Sequence, residues 1–311
     1  MQTVHFPDQP CPSWITHPVL ALGNFDGLHR GHLKIIERVK RGAAEHGGTP
    51  MALTFDPHPP RIVRPDKAPP LLMTTVQRLA ALHHAGLQAV AVVRFTTELS
   101  QWDAETFVRR VLVDWLRVSE VWVGANFLFG HDRLGNFSLL RSLGHTYGFR
   151  AEKIDPVRYR DFIVSSTRVR RLVAEGRVDE AGALLGRVYA IDGVVVEGRR
   201  RGRELGFPTA NLETENELIP PHGVYATIVT IDGVQHGGVT NIGTRPTFGE
   251  AGSTIETHIL AEVGDLYGRS IRVAFVQRLR DERRFEDVDA LRTQIDADRQ
   301  RAERLFARLA V

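Results

Sequence analysis

Residues 23–32 read Gly23-Asn24-Phe25-Asp26-Gly27-Leu28-His29-Arg30-Gly31-His32. This stretch follows the apolar run Val19–Leu22 and leads into a helix-like segment that extends to His46. A helix N-terminus placed after a strand offers backbone N–H groups and a partial positive charge to a phosphate. Glycines let the backbone approach a ligand closely, and two imidazoles add donors. The stretch therefore predicts a strand–turn–helix unit that handles nucleotide phosphates.

Within this stretch we predict that His29 and His32 are catalytic and that Gly23, Phe25 and Gly31 lie at the ATP phosphates. The alternative is that both histidines only cap the helix and contact solvent. The glycine between them, the Asp-Gly pair before them and a Ser-Ser-Thr-x-x-Arg segment downstream favour the phosphate site.

The 311-residue chain has an ordinary globular composition, with 42% hydrophobic and 25% charged residues, and its length predicts two domains. The net charge of +3 suits anionic small molecules and is too small to require nucleic acid. Cys11 is the only cysteine, so an intrachain disulfide and a cysteine-based zinc site are excluded. No apolar run approaches the roughly 18 residues of a membrane span, and we expect a cytoplasmic protein with no membrane or obligate protein partner.

The first half of the sequence alternates apolar runs with helical segments. The runs cover residues 19–22, 51–55, 90–95 and 121–123. Continuous apolar runs of this length are typical of buried parallel strands, so we predict a doubly wound α/β domain whose ligands bind at the carboxyl ends of its strands. A helix that begins at the Ser165–Thr167 positions and a second helix that ends before Gly186 complete this domain. We place the boundary there, with domains at 1–186 and 187–311.

The second half reads as short strands separated by glycine, proline and asparagine. The predicted strands cover residues 188–196, 223–231, 238–242, 254–260 and 271–279. Asp232-Gly233 between two of them is a hairpin signal. The alternation of apolar and polar residues is imperfect, so no faces are assigned. The pattern predicts an antiparallel β-barrel, closed by an amphipathic helix over residues 285–309.

The HxGH pattern resembles the adenylyltransferase superfamily of nucleotidyltransferases, and further motifs narrow the resemblance. In the first half these are Thr54-Phe55-Asp56-Pro57-His58-Pro59, Val123-Gly124-Ala125-Asn126-Phe127-Leu128-Phe129-Gly130 and Ser165-Ser166-Thr167-Arg168-Val169-Arg170. In the second half they are Gly202-Arg203-Glu204-Leu205-Gly206-Phe207-Pro208-Thr209-Ala210-Asn211, Asn241-Ile242-Gly243-Thr244-Arg245-Pro246-Thr247-Phe248 and Ile255-Glu256-Thr257-His258-Ile259-Leu260. Over nearly the whole chain the sequence resembles the bifunctional bacterial riboflavin kinase/FMN adenylyltransferase (FAD synthetase) family.

For the first domain the resemblance implies an HxGH-type nucleotidyltransferase that adenylylates FMN to FAD and releases pyrophosphate. The attacking phosphate is already ionised near neutral pH, so catalysis needs alignment and donors aimed at developing charge rather than a strong base. We assign those donors to His29 and His32. The resemblance adds phosphate contacts from Ser166, Thr167 and Arg170.

For the second domain the resemblance implies a kinase that uses ATP to phosphorylate riboflavin to FMN. The nucleophile is a neutral alcohol, so a carboxylate base and a metal ion are expected, and the resemblance makes Glu256 that base. Thr209 and Asn211 offer hard oxygen ligands on one side of an extended segment, which suits Mg²⁺ bridging ATP phosphates. Taken alone, Glu256 would be a solvated strand carboxylate, and its setting in Ile255-Glu256-Thr257-His258-Ile259-Leu260 favours catalysis. The alternative for Pro208-Thr209-Ala210-Asn211 is an ordinary turn, which the Gly202-Arg203-x-Leu205-Gly206-Phe207 segment directly before it disfavours.

Other positions keep two interpretations. The resemblance places Asn126, where many relatives have aspartate, near the flavin or nucleotide, and we assign it to the flavin together with Phe207. His58 between prolines forms either a rigid turn or a substrate contact, whereas surface exposure is expected for His131. The arginine run 199–201 is either a solvated loop or, with Gly198 and Arg203, a phosphate-binding loop.

Three competing functions remain at this point. An adenylyltransferase for another acceptor with an accessory β-domain is the nearest, and the Pro208-Thr209-Ala210-Asn211 segment speaks against it. A nucleic-acid-binding module has only the arginine run in its favour. A flavin sensor without catalysis is disfavoured by the histidine pair and Glu256.

Overall fold

The computed structural model describes residues 2–198, 206–244 and 253–309. The chain divides into two compact units, residues 1–166 and 167–311. The division falls within the first turn of the helix Ser166–Ala174. Along the described ranges, no helix combines the length and the apolar character that crossing a membrane requires.

The first unit is built on a six-stranded parallel sheet. The strands of this unit, including those outside the sheet, are β1 (Gln2–Phe6), β2 (Val19–Leu22), β3 (Pro50–Asp56), β4 (Ala89–Arg94), β5 (Glu120–Val123), β6 (Leu128–Phe129), β7 (Gly135–Asn136), β8 (Arg150–Lys153), β9 (Arg158–Tyr159) and β10 (Phe162–Ile163). The sheet has the order β1-β4-β3-β2-β5-β8, with every neighbouring pair parallel. The short strands form the antiparallel pairs β6–β7 and β9–β10.

Helices cover both faces of this sheet. They are α1 (Arg30–His46), α2 (Pro59–Val63), α3 (Thr75–His84), α4 (Thr97–Ser100), α5 (Ala104–Phe107), which continues as π-helical turns over Val108–Trp115, and α6 (Phe137–Tyr147). Leu20 and Leu22 belong to one apolar cluster and Val19 and Ala21 to the other, because successive strand residues point to opposite faces. The predicted doubly wound α/β architecture is confirmed.

The order of the strands puts β2, which leads into the predicted phosphate-binding turn, at the centre of the sheet. β2 lies between β3 and β5, so the segments that follow these three strands leave the same edge side by side. Those segments carry the 23–29 turn, His58 and Asn126, respectively. A crevice beyond the carboxyl ends of central strands is the usual ligand position in such sheets.

The second unit contains a closed barrel. Its elements are α7 (Ser166–Ala174), whose first residue belongs to the first unit, α8 (Val178–Leu185), β11 (Tyr189–Val196), β12 (Ala210–Thr214), β13 (Gly223–Ile231), β14 (Val234–Thr244), β15 (Ser253–Ile259), β16 (Ser270–Arg280) and α9 (Val288–Leu309). The barrel order is β11-β12-β15-β14-β13-β16, with antiparallel neighbours, as predicted.

The closing helix α9 packs on the outside of the barrel. Ala302 and Phe306 are buried against Val224, Ala226 and Ile228 of β13. On the inner side of the wall, the hydroxyl of Thr227 bonds that of Thr240 (2.8 Å), which bonds that of Thr257 (2.9 Å). β13 is therefore buried on both faces, which is why its sequence lacks clean alternation. The helix begins at Val288, three residues after the predicted start.

Candidate active sites

The turn between β2 and α1 has a strained backbone. Phe25, Gly27 and Leu28 have φ values of 52°, 83° and 37°. Glycine adopts such values readily, but for a bulky side chain like Phe25 they are rare. Strained conformations of this kind cluster at functional sites, where the surrounding structure holds them. The turn that the sequence singled out therefore has the backbone geometry of a binding or catalytic loop.

His29 ends this turn and caps helix α1. Its Nδ1 accepts a hydrogen bond from the backbone N–H of His32 (3.3 Å). A ring nitrogen that accepts carries no proton, so the neutral His29 ring bears its proton on Nε2 as a donor. The capping alternative and the phosphate-donor prediction are therefore compatible, since capping with one nitrogen sets the other as a donor.

The two predicted catalytic rings are stacked. The centroids of His29 and His32 lie 3.7 Å apart with their planes at 11°. Phe25, fully buried, presents an edge to His32 at 5.2 Å. The Gly31 position explains the glycine between the histidines, because a Cβ there would lie 3.0 Å from Cε1 and 3.1 Å from Nδ1 of His29. A pair of fixed, parallel imidazoles at a helix N-terminus can direct two donors to one set of oxygens.

Asp26 anchors the turn through buried hydrogen bonds. Its carboxylate is buried and accepts hydrogen bonds from the backbone N–H groups of Leu72 (3.0 Å) and Met73 (3.2 Å). Its carbonyl oxygen accepts a bond from the Ser166 hydroxyl (2.8 Å). The predicted phosphate ligand Ser166 thus contacts the backbone of the histidine turn. Sequence reasoning used Asp26 only as part of a motif and missed this positioning role.

The other predicted residues of the first site fall at several places. His58 is buried after β3 and precedes α2, whereas Asn126 is exposed in the turn after β5. Thr167 and Arg170 lie on α7 beyond the division between the units. Their predicted contacts with the ATP phosphates stay predictions, and His58 keeps both interpretations.

His131 has polar contacts at both of its ring nitrogens. It is partly exposed in a short 3₁₀ turn, and its Nδ1 lies 3.0 Å from the Ser100 carbonyl oxygen while its Nε2 lies 3.4 Å from the Asp132 carboxylate. These contacts suit a surface residue, as expected.

In the second unit, three strands bring polar side chains together on one face. Glu256 of β15 pairs in register with Asn211 of β12 on one side and with Asn241 of β14 on the other. Residues directly opposite in an antiparallel sheet share a face, with Cβ atoms about 4.5–5.5 Å apart. Thr240 and Thr257 bond inside the barrel, so the neighbouring residues Asn241 and Glu256 face outward.

Asn241 had no role in the sequence analysis, although its motif was noted there. Its place opposite Glu256 follows only from the strand register, which the sequence does not reveal. Asn241 and Asn211 together flank the predicted base with one amide on each side. The arrangement supplies a carboxylate able to accept a proton and two neutral side chains able to orient it.

The segment before β12 folds over the same outer face. The ring of Phe207 meets the ring of His258 edge to face at 5.5 Å, and His258 Nδ1 lies 2.9 Å from the carbonyl oxygen of Pro208. At Gly198, a Cβ would collide with the amide group of the Asn211 side chain, so a larger residue at that position would require Asn211 to move. Phe207, Asn211 and Gly198 thus converge near Glu256, and Thr209 lies between them in the chain. Arg203 and the arginine run 199–201 lie outside the described residues.

Comparison with known proteins supplies the family. The model of the FAD synthetase family matches residues 13–168 and that of riboflavin kinase matches residues 185–306. The bifunctional riboflavin kinase/FMN adenylyltransferase of Pseudomonas fluorescens is 40% identical over 93% of either chain, and that of Bacillus subtilis is 33% identical over 99% of either chain. A crystal structure of a protein named macrolide-efflux protein from Streptococcus pneumoniae shares the fold, with a TM-score of 0.88, 25% identity and coverage of 97% of this chain and 98% of the other.

The chain thus combines an FAD synthetase domain with a riboflavin kinase domain. It belongs to the bifunctional riboflavin kinase/FMN adenylyltransferase family, as the resemblance indicated.

Proposed function

We propose that this bifunctional enzyme of FAD biosynthesis has two separate active sites. The stacked histidine pair catalyses FMN adenylylation, and the Glu256 face of the barrel catalyses riboflavin phosphorylation. The substrates are the small molecules ATP, riboflavin and FMN, and the final product is FAD. The observation that carries the first assignment is the fixed, parallel pair of imidazoles at the start of α1. The pair follows a strained turn at the carboxyl end of the central strand β2.

In the adenylylation step, an oxygen of the FMN phosphate attacks the α-phosphorus of ATP. A new P–O bond forms FAD while the bond to the β-phosphate oxygen breaks and pyrophosphate leaves. In this proposal the Nε2 donor of His29 and the adjacent His32 ring hydrogen-bond the phosphate oxygens on which negative charge grows. Donors fixed in this way stabilise the transition state without reorganising during the reaction. Gly23 and Gly31 are proposed to lie beside the phosphates, and Ser166, Thr167 and Arg170 are proposed to bind them.

The test of this assignment is His32→Ala. Loss of one preorganised donor typically lowers the rate by about 10²–10³. FAD formation from FMN and ATP is expected to fall by that factor, while FMN formation from riboflavin in the same preparation stays unchanged. Chromatographic separation of riboflavin, FMN and FAD reads both rates. A variant that lost both activities equally would contradict the assignment.

In the phosphorylation step, the terminal ribityl hydroxyl of riboflavin attacks the γ-phosphorus of ATP. Glu256 accepts the hydroxyl proton, the new P–O bond forms FMN, and ADP leaves. Asn211 and Asn241 orient the Glu256 carboxylate from either side, and Phe207 is proposed to bind the flavin ring. The proposed phosphate contacts of Gly198 and Arg203 rest on the sequence.

The residues on this face fit Mg²⁺ as a partner of ATP. Thr209 and Asn211 supply neutral oxygen donors, and the latter lies in register with the Glu256 carboxylate. No cluster of three or more His, Cys, Asp or Glu side chains in the described ranges could hold a metal ion by itself. Mg²⁺ is usually bound by one or two protein groups together with substrate phosphates. When bound there, Mg²⁺ would neutralise phosphate charge.

Incubation with riboflavin, ATP and Mg²⁺ separates this proposal from its nearest rival, an adenylyltransferase for another acceptor with an accessory β-domain. Successive appearance of FMN and FAD is expected. Absence of FMN would favour the rival. The cytoplasmic location and the boundary at Gly186 stay predictions, and expression of residues 1–186 and 187–311 as separate proteins would test the boundary through the activity of each part.

A further inference from the structure

Arg78 is a buried arginine on α3 that the proposed chemistry does not use. It is 3% exposed. Its Nη1 donates to the carbonyl oxygen of Asn24 (3.3 Å), and its Nη2 donates to the carbonyl oxygen of Phe55 (3.2 Å). Burial of a charged group is costly unless it is paired and hydrogen-bonded, so a guanidinium in this position needs a reason.

The two carbonyl groups belong to the segments that carry the first site. Asn24 lies in the turn that leads to His29, and Phe55 lies at the end of β3, three residues before His58. The planar fork of a guanidinium sets the spacing of the groups it bonds more strictly than a single donor does. Arg78 therefore fixes the histidine turn relative to the end of the neighbouring strand.

Two carboxylates balance the buried charge. Asp56 lies 3.7 Å from Nη2 of Arg78 and also accepts a hydrogen bond from the Thr75 hydroxyl of α3 (3.1 Å). Burial lowers the pKa of the Arg78 guanidinium, and the negative charges of Asp56 and Asp26 oppose that shift. Asp26 is the same residue that anchors the histidine turn through Leu72 and Met73. Asp26 therefore belongs both to the charge network around Arg78 and to the hydrogen bonds that hold the histidine turn.

We propose that Arg78 is a positioning residue for FMN adenylylation, which holds the His29–His32 turn at its working distance from the end of β3 through the carbonyl groups of Asn24 and Phe55. It touches no substrate and acts through the turn. The inference rests on the proposed role of the histidine pair. Thr54, fully buried, supports the same carbonyl group, because its hydroxyl donates to the Asn24 oxygen (3.1 Å).

The test compares Arg78→Met with Arg41→Met, an equal change at an exposed arginine of α1 whose partner is Glu45. A misplacement of about 1 Å at a reacting group costs roughly 10²-fold in rate. We expect Arg78→Met to lower kcat for FAD formation by about that factor, with KM for ATP changed less than kcat and riboflavin phosphorylation unchanged. Arg78→Lys, which keeps the charge and a donor, is expected to recover most of the lost rate, and Arg41→Met to behave as the wild type.

A second, milder variant keeps the test decisive if Arg78→Met fails to fold. Thr54→Val removes the other bond to the Asn24 carbonyl while keeping the shape of the side chain, and several-fold slower FAD formation is expected. Wild-type kcat in either Arg78→Met or Thr54→Val would overturn the proposal, as would an equal loss of both activities in the two variants. A wild-type enzyme that makes no FAD would instead refute the proposed function itself.

Discussion

Replacement of Gly31 by alanine perturbs the histidine pair by one methyl group. The added Cβ would lie 3.0 Å and 3.1 Å from two atoms of the His29 ring, whereas ordinary contacts of this kind lie at 3.4–4 Å. Gly31 has no positive φ, so alanine suits its backbone. The ring of His29 must therefore move by a few tenths of an ångström away from α1.

The expected effect on stability is small because two terms oppose each other. Alanine is favoured over glycine inside a helix by about 0.8–1 kcal/mol. The capping bond from the His32 N–H to His29 is already long at 3.3 Å, and its loss would cost about 1 kcal/mol. The free energy of unfolding of Gly31→Ala should therefore stay within about 1 kcal/mol of the wild-type value.

The expected effect on catalysis is larger, because the ring displaced is a proposed donor to the phosphates. A full 1 Å displacement would cost roughly 10²-fold, so a shift of a few tenths predicts a loss of about tenfold in kcat for FAD formation. The assay supplies FMN, ATP and Mg²⁺ and separates FAD by chromatography. Riboflavin phosphorylation in the same sample should not change.

Gly182→Ala is a matched control. Gly182 lies within α8, and a Cβ there would meet only ordinary contacts, the nearest at 3.4 Å to the Arg187 carbonyl oxygen. This variant should gain up to about 1 kcal/mol of stability and keep both activities. If Gly31→Ala made FAD as fast as Gly182→Ala, the crowding of His29 would have no catalytic consequence and the proposed role of the ring would be refuted.

Three further predictions concern the second unit. Glu256→Gln should slow riboflavin phosphorylation by about 10²–10⁴ and leave FAD formation from added FMN intact; a full phosphorylation rate would end its assignment as the base. Asn241→Ala, opposite Glu256, should lower kcat for FMN formation by about tenfold through misorientation of the carboxylate, and an unchanged kcat in a chromatographic assay would contradict that role. Asp298→Ala should destabilise the barrel by about 3 kcal/mol in chemical denaturation, because it leaves the mostly buried Arg280 without its 2.8 Å ion pair; an unshifted midpoint would show that the pair contributes nothing.

The sequence predicted the central strands of the sheet and missed its edges. β2, β3, β4 and β5 are mostly buried and appear as continuous apolar runs. The edge strands β1 and β8 each bury a single residue, Val4 and Ala151, and their sequences are largely polar. An edge strand pairs on one side only and is partly exposed, so its pairing leaves little trace in hydropathy.

The candidate sites show a similar divide. Motif spacing predicted His29 and His32 as phosphate donors, and the family resemblance predicted Glu256 as the base. Asn241 and Arg78 were missed, since their proposed roles depend on strand register and on burial of a helix residue. An arginine is almost never fully buried unless it is paired, so a sequence pattern places it at the surface by default. Positioning residues are therefore harder to predict than the residues they position.

The strained backbone of the histidine turn is held in place by buried neighbouring groups. Backbone conformations like those of Phe25 and Leu28 cost of the order of 1–3 kcal/mol each and persist only where neighbours impose them. Here the neighbours are the buried carboxylate of Asp26 and the donors of Thr54 and Arg78 to the Asn24 carbonyl. Each bond fixes the backbone of the turn rather than a substrate. Loss of an anchor would let the turn relax towards an ordinary conformation and carry His29 with it, so FAD formation should respond to these buried groups more steeply than folding does.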